Sequence, residues 1–267
     1  MRIRSSAVVV LPLALVLAGC GGGDTSSATP SSAASSSADD VTGTVTVFAA
    51  SSLTQVFGTL GEELEKEHPG LTVTFNFAGS QALSAQLVQG APADVFASAD
   101  QAQMDVVTKA GLQAAKPTVF ARNELEIAVP KGNPGKVSGL EDFANPQLTL
   151  AICAATVPCG AAAKRLFAAT AVGVQPDSEE QDVKAALTKV RLGEVDAALV
   201  YTTDVKSAGS DVEGITVPEA AKAVTDYPMT ALKSAPNPAG ARAFEQLVES
   251  SAGRHALSAA GFQDPTS

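Results

Sequence analysis

The chain has 267 residues, 45% of them hydrophobic, with 18 Lys and Arg against 28 Asp and Glu and a net charge of −10. So acidic a surface argues against binding a nucleic-acid backbone or an anionic lipid headgroup layer. The apolar fraction is that of a globular protein, and the length suits one large domain or two modest lobes.

The chain opens with Arg2 and Arg4, an apolar stretch from Ala7 to Ala18, and Leu17-Ala18-Gly19 before Cys20. This reads as a signal peptide over 1–19 that ends in a lipobox. An apolar run of about a dozen residues is too short to cross a ~30 Å hydrocarbon layer. Cys20 is expected to carry a diacylglycerol, whose two chains anchor the mature protein to the membrane, outside the cytoplasm. From 20 to 42 the chain is nearly all Gly, Ser, Thr, Ala, Pro and Asp, which bury too little to repay ordering, so a disordered tether is expected.

Strand-like and helix-like segments then alternate: Val45 to Ala49, Leu53 to Glu67, Leu71 to Phe77, Gln81 to Gln89 and Asp94 to Ala97. The series continues with Leu125 to Val129, Leu148 to Ile152, Ala161 to Ala169, Val183 to Leu192, Ala197 to Tyr201 and Ile215 to Val217. A closing helix runs from about Ala239 to Ala260. Alternation of this kind predicts α/β layers with mostly parallel sheets, and several strands are apolar throughout, as sheets covered on both faces require. Breakers cluster at Arg122-Asn123, from Pro130 to Pro134, and at Asp226-Tyr227-Pro228, and read as crossings between two lobes. The division places 43–122 plus 229–267 in one lobe and 123–228 in the other, with a hinge able to close over a ligand.

With Cys20 spent on lipid, Cys153 and Cys159 remain as a pair in an oxidising compartment. A disulfide across six residues is the expectation, and two separate buried thiols are the alternative. Neither a C-x-x-C nor a Cys/His cluster occurs, His68 and His255 stand alone, and the acidic run from Glu62 to Glu67 reads as a solvated helix face. No metal-cation site and no cofactor are therefore expected.

The informative pattern lies where strands hand over to helices. Four junctions stand out: Ala49-Ala50-Ser51-Ser52-Leu53, Phe77-Ala78-Gly79-Ser80-Gln81, Val157-Pro158-Cys159-Gly160-Ala161 and Gln181-Asp182-Val183-Lys184. Helix starts present unpaired N–H groups and partial positive charge, so they can hold an anion without a formal cation. Taken singly, each serine also reads as an ordinary helix cap.

The runs Val45-Thr46-Val47-Phe48-Ala49-Ala50-Ser51-Ser52-Leu53-Thr54, Phe77-Ala78-Gly79-Ser80 and Gly90-Ala91-Pro92-Ala93-Asp94-Val95-Phe96-Ala97-Ser98-Ala99-Asp100 resemble the periplasmic molybdate-binding proteins of ABC transporters. So do Val157-Pro158-Cys159-Gly160, Asp182-Val183, and Leu199-Val200-Tyr201 with Asp204. The resemblance covers 44–263 and implies the type II periplasmic-binding-protein fold, two lobes with a ligand cleft between them. It implies a monomeric protein that is not an enzyme, takes up molybdate or tungstate, and passes it to the transporter's permease. The ligand set it implies is Ser52 and Ser80 by hydroxyl and N–H, Cys159 and Val183 by N–H, and the Tyr201 hydroxyl. Two departures stand out: Cys159 where relatives commonly have alanine, and a serine run thinned to Gly79-Ser80-Gln81.

Molybdate has only acceptor oxygens near neutral pH, so a matching site should consist of donors; a hydrogen phosphate site would gain from a carboxylate. Two alternatives remain. One keeps the fold with sulfate or phosphate as cargo. The other is a secreted serine hydrolase acting through Ser52 or Ser80, for which there is no G-x-S-x-G elbow and a poor supply of histidine bases.

Overall fold

The computed structural model describes residues 41–266. The signal peptide, Cys20 and the tether up to residue 40 lie outside the described residues. The last two tether positions already belong to the folded body: Val41 packs on the core and the Thr42 carbonyl accepts from Asn237 Nδ2 at 2.8 Å.

The first strand, β1 (Gly43–Ala50), lies between two neighbours, and its Val45, Val47 and Ala49 are fully buried. A single 3₁₀ turn, Ser51–Leu53, leads into α1 (Thr54–Glu67). Val56, Phe57, Leu60 and Leu64 recur at helical spacing on its inner face, while Glu62, Lys66 and Glu67 face solvent. Then follow β2 (Leu71–Ala78), α2 (Ser80–Val88), β3 (Val95–Ala97), α3 (Gln101–Lys109) and β4 (Thr118–Asn123). Asp100 caps α3, its Oδ1 accepting from Gln103 N at 2.8 Å.

After the single residue Glu124 come β5 (Leu125–Pro130), β6 (Leu150–Cys153), α4 (Pro158–Thr170), β7 (Ser178–Glu180) and α5 (Val183–Arg191). Proline opens α4, where no helical N–H is needed. The Asp182 carboxylate caps α5 through Ala185 N at 3.0 Å. Next come β8 (Ala197–Tyr201), buried at every position, α6 (Thr202–Ala208), β9 (Val212–Thr216) and β10 (Thr225–Ala231). The chain closes with α7 (Pro238–Glu249) and α8 (Ser251–Ala260), capped by Asn237 and Ser250. The one closing helix expected over 239–260 is thus two helices that break at Ser250.

The strands form two five-stranded sheets, ordered β2-β1-β3-β10-β4 and β7-β6-β8-β5-β9. In each, four strands run one way and a single strand opposes them: β10 in the first sheet, β5 in the second. The sheets are mostly parallel, as the alternation predicts, and helices flank them. The chain passes between them at Glu124 and again between β9 and β10.

Two of the three breaker readings are corrected, while the crossing at Arg122-Asn123 falls directly after it, at Glu124. Asp226-Tyr227-Pro228 is no loop; it lies inside β10, where a register shift between Tyr227 and Pro228 accommodates the missing proline N–H. Arg122-Asn123 ends β4, pairing with Asp226 and Thr225. Pro130 to Pro134 is a turn after β5 on the way to β6, and both strands belong to the second sheet, so the chain does not cross there.

Candidate functional site

Parallel strands carry their following helices at their carboxyl ends, so the helix starts of both sheets gather along one edge of each. They enclose a single small cavity, lined from the 3₁₀ turn after β1 by Ser51 and Ser52, from the start of α2 by Gly79 and Ser80, and from the starts of α4 and α5 by Cys159 and Val183. Tyr201, at the end of β8, completes the wall. Ser52, Ser80, Cys159, Val183 and Tyr201, drawn from five separate stretches of sequence, are therefore brought together. All five are buried. The cavity is small, about 10 Å³. That is far below the roughly 300–1,000 Å³ of pockets that take drug-sized molecules, so it has room for nothing larger than a compact guest.

Helix position explains the donors. Ser80 and Val183 are the first residues of α2 and α5, and Cys159 is the second of α4, so their N–H groups have no intrahelical acceptor. Ser80 Oγ accepts from Ala99 N at 3.0 Å, which leaves its proton free to point elsewhere. Ser52 Oγ lies 2.9 Å from the Tyr227 hydroxyl. The Tyr201 hydroxyl is fully buried and makes no well-formed hydrogen bond among the described residues, with Thr225 and Tyr227 as polar neighbours. Burial, with Asp100 and Asp204 nearby, pushes its phenol well above the usual value, so it remains a neutral donor.

Cys153 and Cys159 form a disulfide, which ties the end of β6 to the first turn of α4. Gly160 follows because a Cβ there would collide with the Ala154 carbonyl. The bond thus holds the Cys159 N–H at the cavity wall.

The nearby carboxylates are already engaged. Asp182, at the wall, caps α5. Asp100 caps α3, and burial raises its carboxyl above the usual range. Asp204 is fully buried and also raised by burial; it accepts from Tyr201 N at 3.2 Å and pairs with Lys184 Nζ at 3.0 Å. Asp94 fixes the fold by accepting from Thr46 N and Asn237 N. No group of three or more His, Cys, Asp or Glu among the described residues is placed to hold a metal ion. His68 ends α1 and His255 sits on α8, and neither lines the cavity that holds Ser52 and Ser80.

Sequence reasoning missed several residues at this site. Gln81 Nε2 donates to the Gln181 carbonyl at 2.8 Å, joining the start of α2 in the first sheet's layer to the segment before α5 in the second's. A Cβ at Gly79 would strike the same carbonyl, so glycine permits the two sides to meet. Tyr227 and Asn123 back Ser52 from behind. The only sequence signal for Tyr227 was that the chain has just two tyrosines.

Comparison with known proteins places this architecture. Residues 45–263 match the family described as bacterial extracellular solute-binding protein. The molybdate-binding protein ModA of Mycobacterium tuberculosis H37Rv is 46% identical over 222 residues, which cover 83% of this chain and 85% of the relative. The sulfate-binding protein SubI of M. tuberculosis superposes with a TM-score of 0.72 at 15% identity, over 83% of this chain and 87% of that one. The Azotobacter vinelandii periplasmic molybdate-binding protein gives 0.71 at 21%, over 83% and 99%. At such identities the two structures speak for the fold alone, that of the periplasmic binding proteins. No described helix is long and apolar enough to cross a membrane. The chain belongs to the bacterial extracellular solute-binding protein family.

Proposed function

We propose that this protein captures molybdate, and tungstate with it, outside the cytoplasmic membrane and delivers it to the permease of an ABC importer, held near the membrane by a lipid on Cys20. The observation that carries the reading is the convergence of donors on one small cavity: two serine hydroxyls, helix-start N–H groups and the Tyr201 hydroxyl. The 46% identity to ModA of M. tuberculosis supports the choice of cargo. In this reading the two sheets are the cores of two lobes, joined at Glu124 and before β10, which close on the anion. Ser52 and Ser80 donate from the first lobe; Cys159, Val183 and Tyr201 donate from the second.

The physics suits a protein of negative net charge. Several charge-assisted hydrogen bonds at ~1.5–3 kcal/mol each give submicromolar binding after ordering and desolvation, without a buried cation to hinder release. The one carboxylate lining the cavity, Asp182, spends Oδ1 on capping α5, so the wall offers a bound oxyanion mainly donors, which favours a fully deprotonated one.

The fold likeness to SubI keeps sulfate as the reading to beat. Isothermal titration with molybdate, tungstate, sulfate and phosphate decides between them. Molybdate and tungstate are expected to bind at least a hundredfold tighter than the other two; tighter binding of sulfate or phosphate overturns the assignment.

A further inference from the structure

Behind Ser52 lies a short chain of buried polar groups that reaches the cavity by hydrogen bonding through that serine and packs on the wall at Tyr201. Asn123, at the end of β4, is 1% exposed and Tyr227, in β10, is fully buried. Asn123 Oδ1 accepts from Glu124 N at 3.0 Å, which fixes the amide so that its NH₂ faces the other way. From that NH₂, one hydrogen bond goes to Thr203 Oγ1 at 2.8 Å and another to the Tyr227 hydroxyl at 3.4 Å. The Tyr227 oxygen lies 2.9 Å from Ser52 Oγ.

Counting protons gives this chain a direction. A phenol has one hydrogen. The Asn123 NH₂ has no available lone pair with which to accept and donates to Tyr227, and the neighbouring Tyr201 hydroxyl makes no well-formed hydrogen bond, so the Tyr227 proton goes to Ser52 Oγ. Ser52 then accepts from behind, and its own proton is released toward the cavity. In the opposite polarity Ser52 would donate backward and turn lone pairs toward the guest. Burial holds the Tyr227 phenol well above its ordinary range, so the proton stays in place.

We infer that Tyr227 and Asn123 are positioning residues that set Ser52 as a donor toward the bound oxyanion, a role that rests on the oxyanion reading proposed above. The same amide bridges the two sheets, since Thr203 lies on α6 of the second and Tyr227 on β10 of the first. The polarity of the chain is thus set where the two halves of the molecule join.

Isothermal titration of the full protein with molybdate tests this through a double-mutant cycle of Tyr227→Phe and Ser52→Ala. Tyr227→Phe keeps the ring against Phe120 and Phe262, with centroids at 6.4 and 5.2 Å, and removes only the hydroxyl. It is expected to weaken binding about tenfold in the parent and not at all in the Ser52→Ala background. A merely structural role would lower the ligand-free melting temperature and weaken binding equally in both backgrounds, and that result overturns the inference, as does unchanged affinity. Asn123→Leu approaches the chain from its other end and covers the case in which Tyr227→Phe does not fold. Its loss of affinity is also expected to vanish in the Ser52→Ala background, and persistence there counts against the inference. A parent protein that takes up neither molybdate nor tungstate overturns the oxyanion reading itself, and this inference with it. A parent that binds while Tyr227→Phe binds equally well overturns only the inference.

Discussion

Replacing Tyr201 by phenylalanine should make the ligand-free protein no less stable and its ligand complex much weaker. The ring is 1% exposed and packs edge-on to Tyr227 at 5.9 Å, contacts that phenylalanine keeps. The hydroxyl makes no well-formed hydrogen bond among the described residues, and an unsatisfied buried polar group costs about 1–3 kcal/mol. Its removal should therefore leave the melting temperature unchanged or raise it by up to a few degrees, at ~2–4 °C per kcal/mol for a chain of this size. As a donor to a charged oxyanion the same hydroxyl contributes about 1.5–3 kcal/mol, so the dissociation constant should rise roughly ten- to a hundredfold. A thirtyfold loss shrinks the ligand's stabilisation at fixed concentration by about 2 kcal/mol. Scanning calorimetry with and without molybdate reads both effects, and titration calorimetry gives the affinity. A destabilised ligand-free variant whose affinity equals the parent's would refute the reasoning, because the hydroxyl would then serve the fold.

Gln81→Ala removes the hydrogen bond to Gln181 across the two sides of the cavity. Release of molybdate in stopped flow should quicken by roughly two- to tenfold, and an unchanged rate counts against this contact as a latch. Gly79→Ala should cost more than Gln81→Ala, since its methyl meets the Gln181 carbonyl on approach while the backbone there, at φ −61°, tolerates alanine. Cys153→Ser with Cys159→Ser opens a six-residue link worth about 2 kcal/mol, so calorimetry should show a melting temperature lower by roughly 4–8 °C, along with weaker binding through the Cys159 amide. Molybdate affinity should stay flat from about pH 7 to pH 10. The Tyr201 phenol, raised by burial, keeps its proton below its elevated value and loses it only above, where a phenolate would repel the guest. A decline centred near 10 would mean an ordinary tyrosine.

Much of the fold was legible because local pattern and final environment agree. The apolar spacing of α1 and the uniformly buried β8 declared themselves from sequence. Five elements stayed hidden, α3 among them, and four of the five for identifiable reasons. The pair β4 and β10 contains Arg122, Asn123, Asp226 and Pro228, locally breakers, and is held by pairing between strands a hundred residues apart. At the sheet edge, β7 is Ser-Glu-Glu, polar as an edge tolerates. Only seven residues long, α6 starts directly after β8. At the site, Ser52 and Ser80 could be found from strand-to-helix junctions. Cys159 and Val183 offer the cavity only a backbone N–H, which side-chain identity does not encode, so the junctions marked the segments and the resemblance picked out the residues. The Tyr227 and Asn123 chain depends on atoms from the turn after β1, β4, α6 and β10 meeting in space, and nothing local announces it.

The central claim is that neutral donors from both sheets hold one oxyanion in one place. A crystal grown with molybdate and measured at the molybdenum absorption edge tests it directly. The account predicts a single strong anomalous peak within hydrogen-bonding reach, through oxygen, of the Ser52 and Ser80 hydroxyls, the Cys159 and Val183 amides and the Tyr201 hydroxyl. A peak elsewhere on the molecule, or none at full soaking, would contradict it.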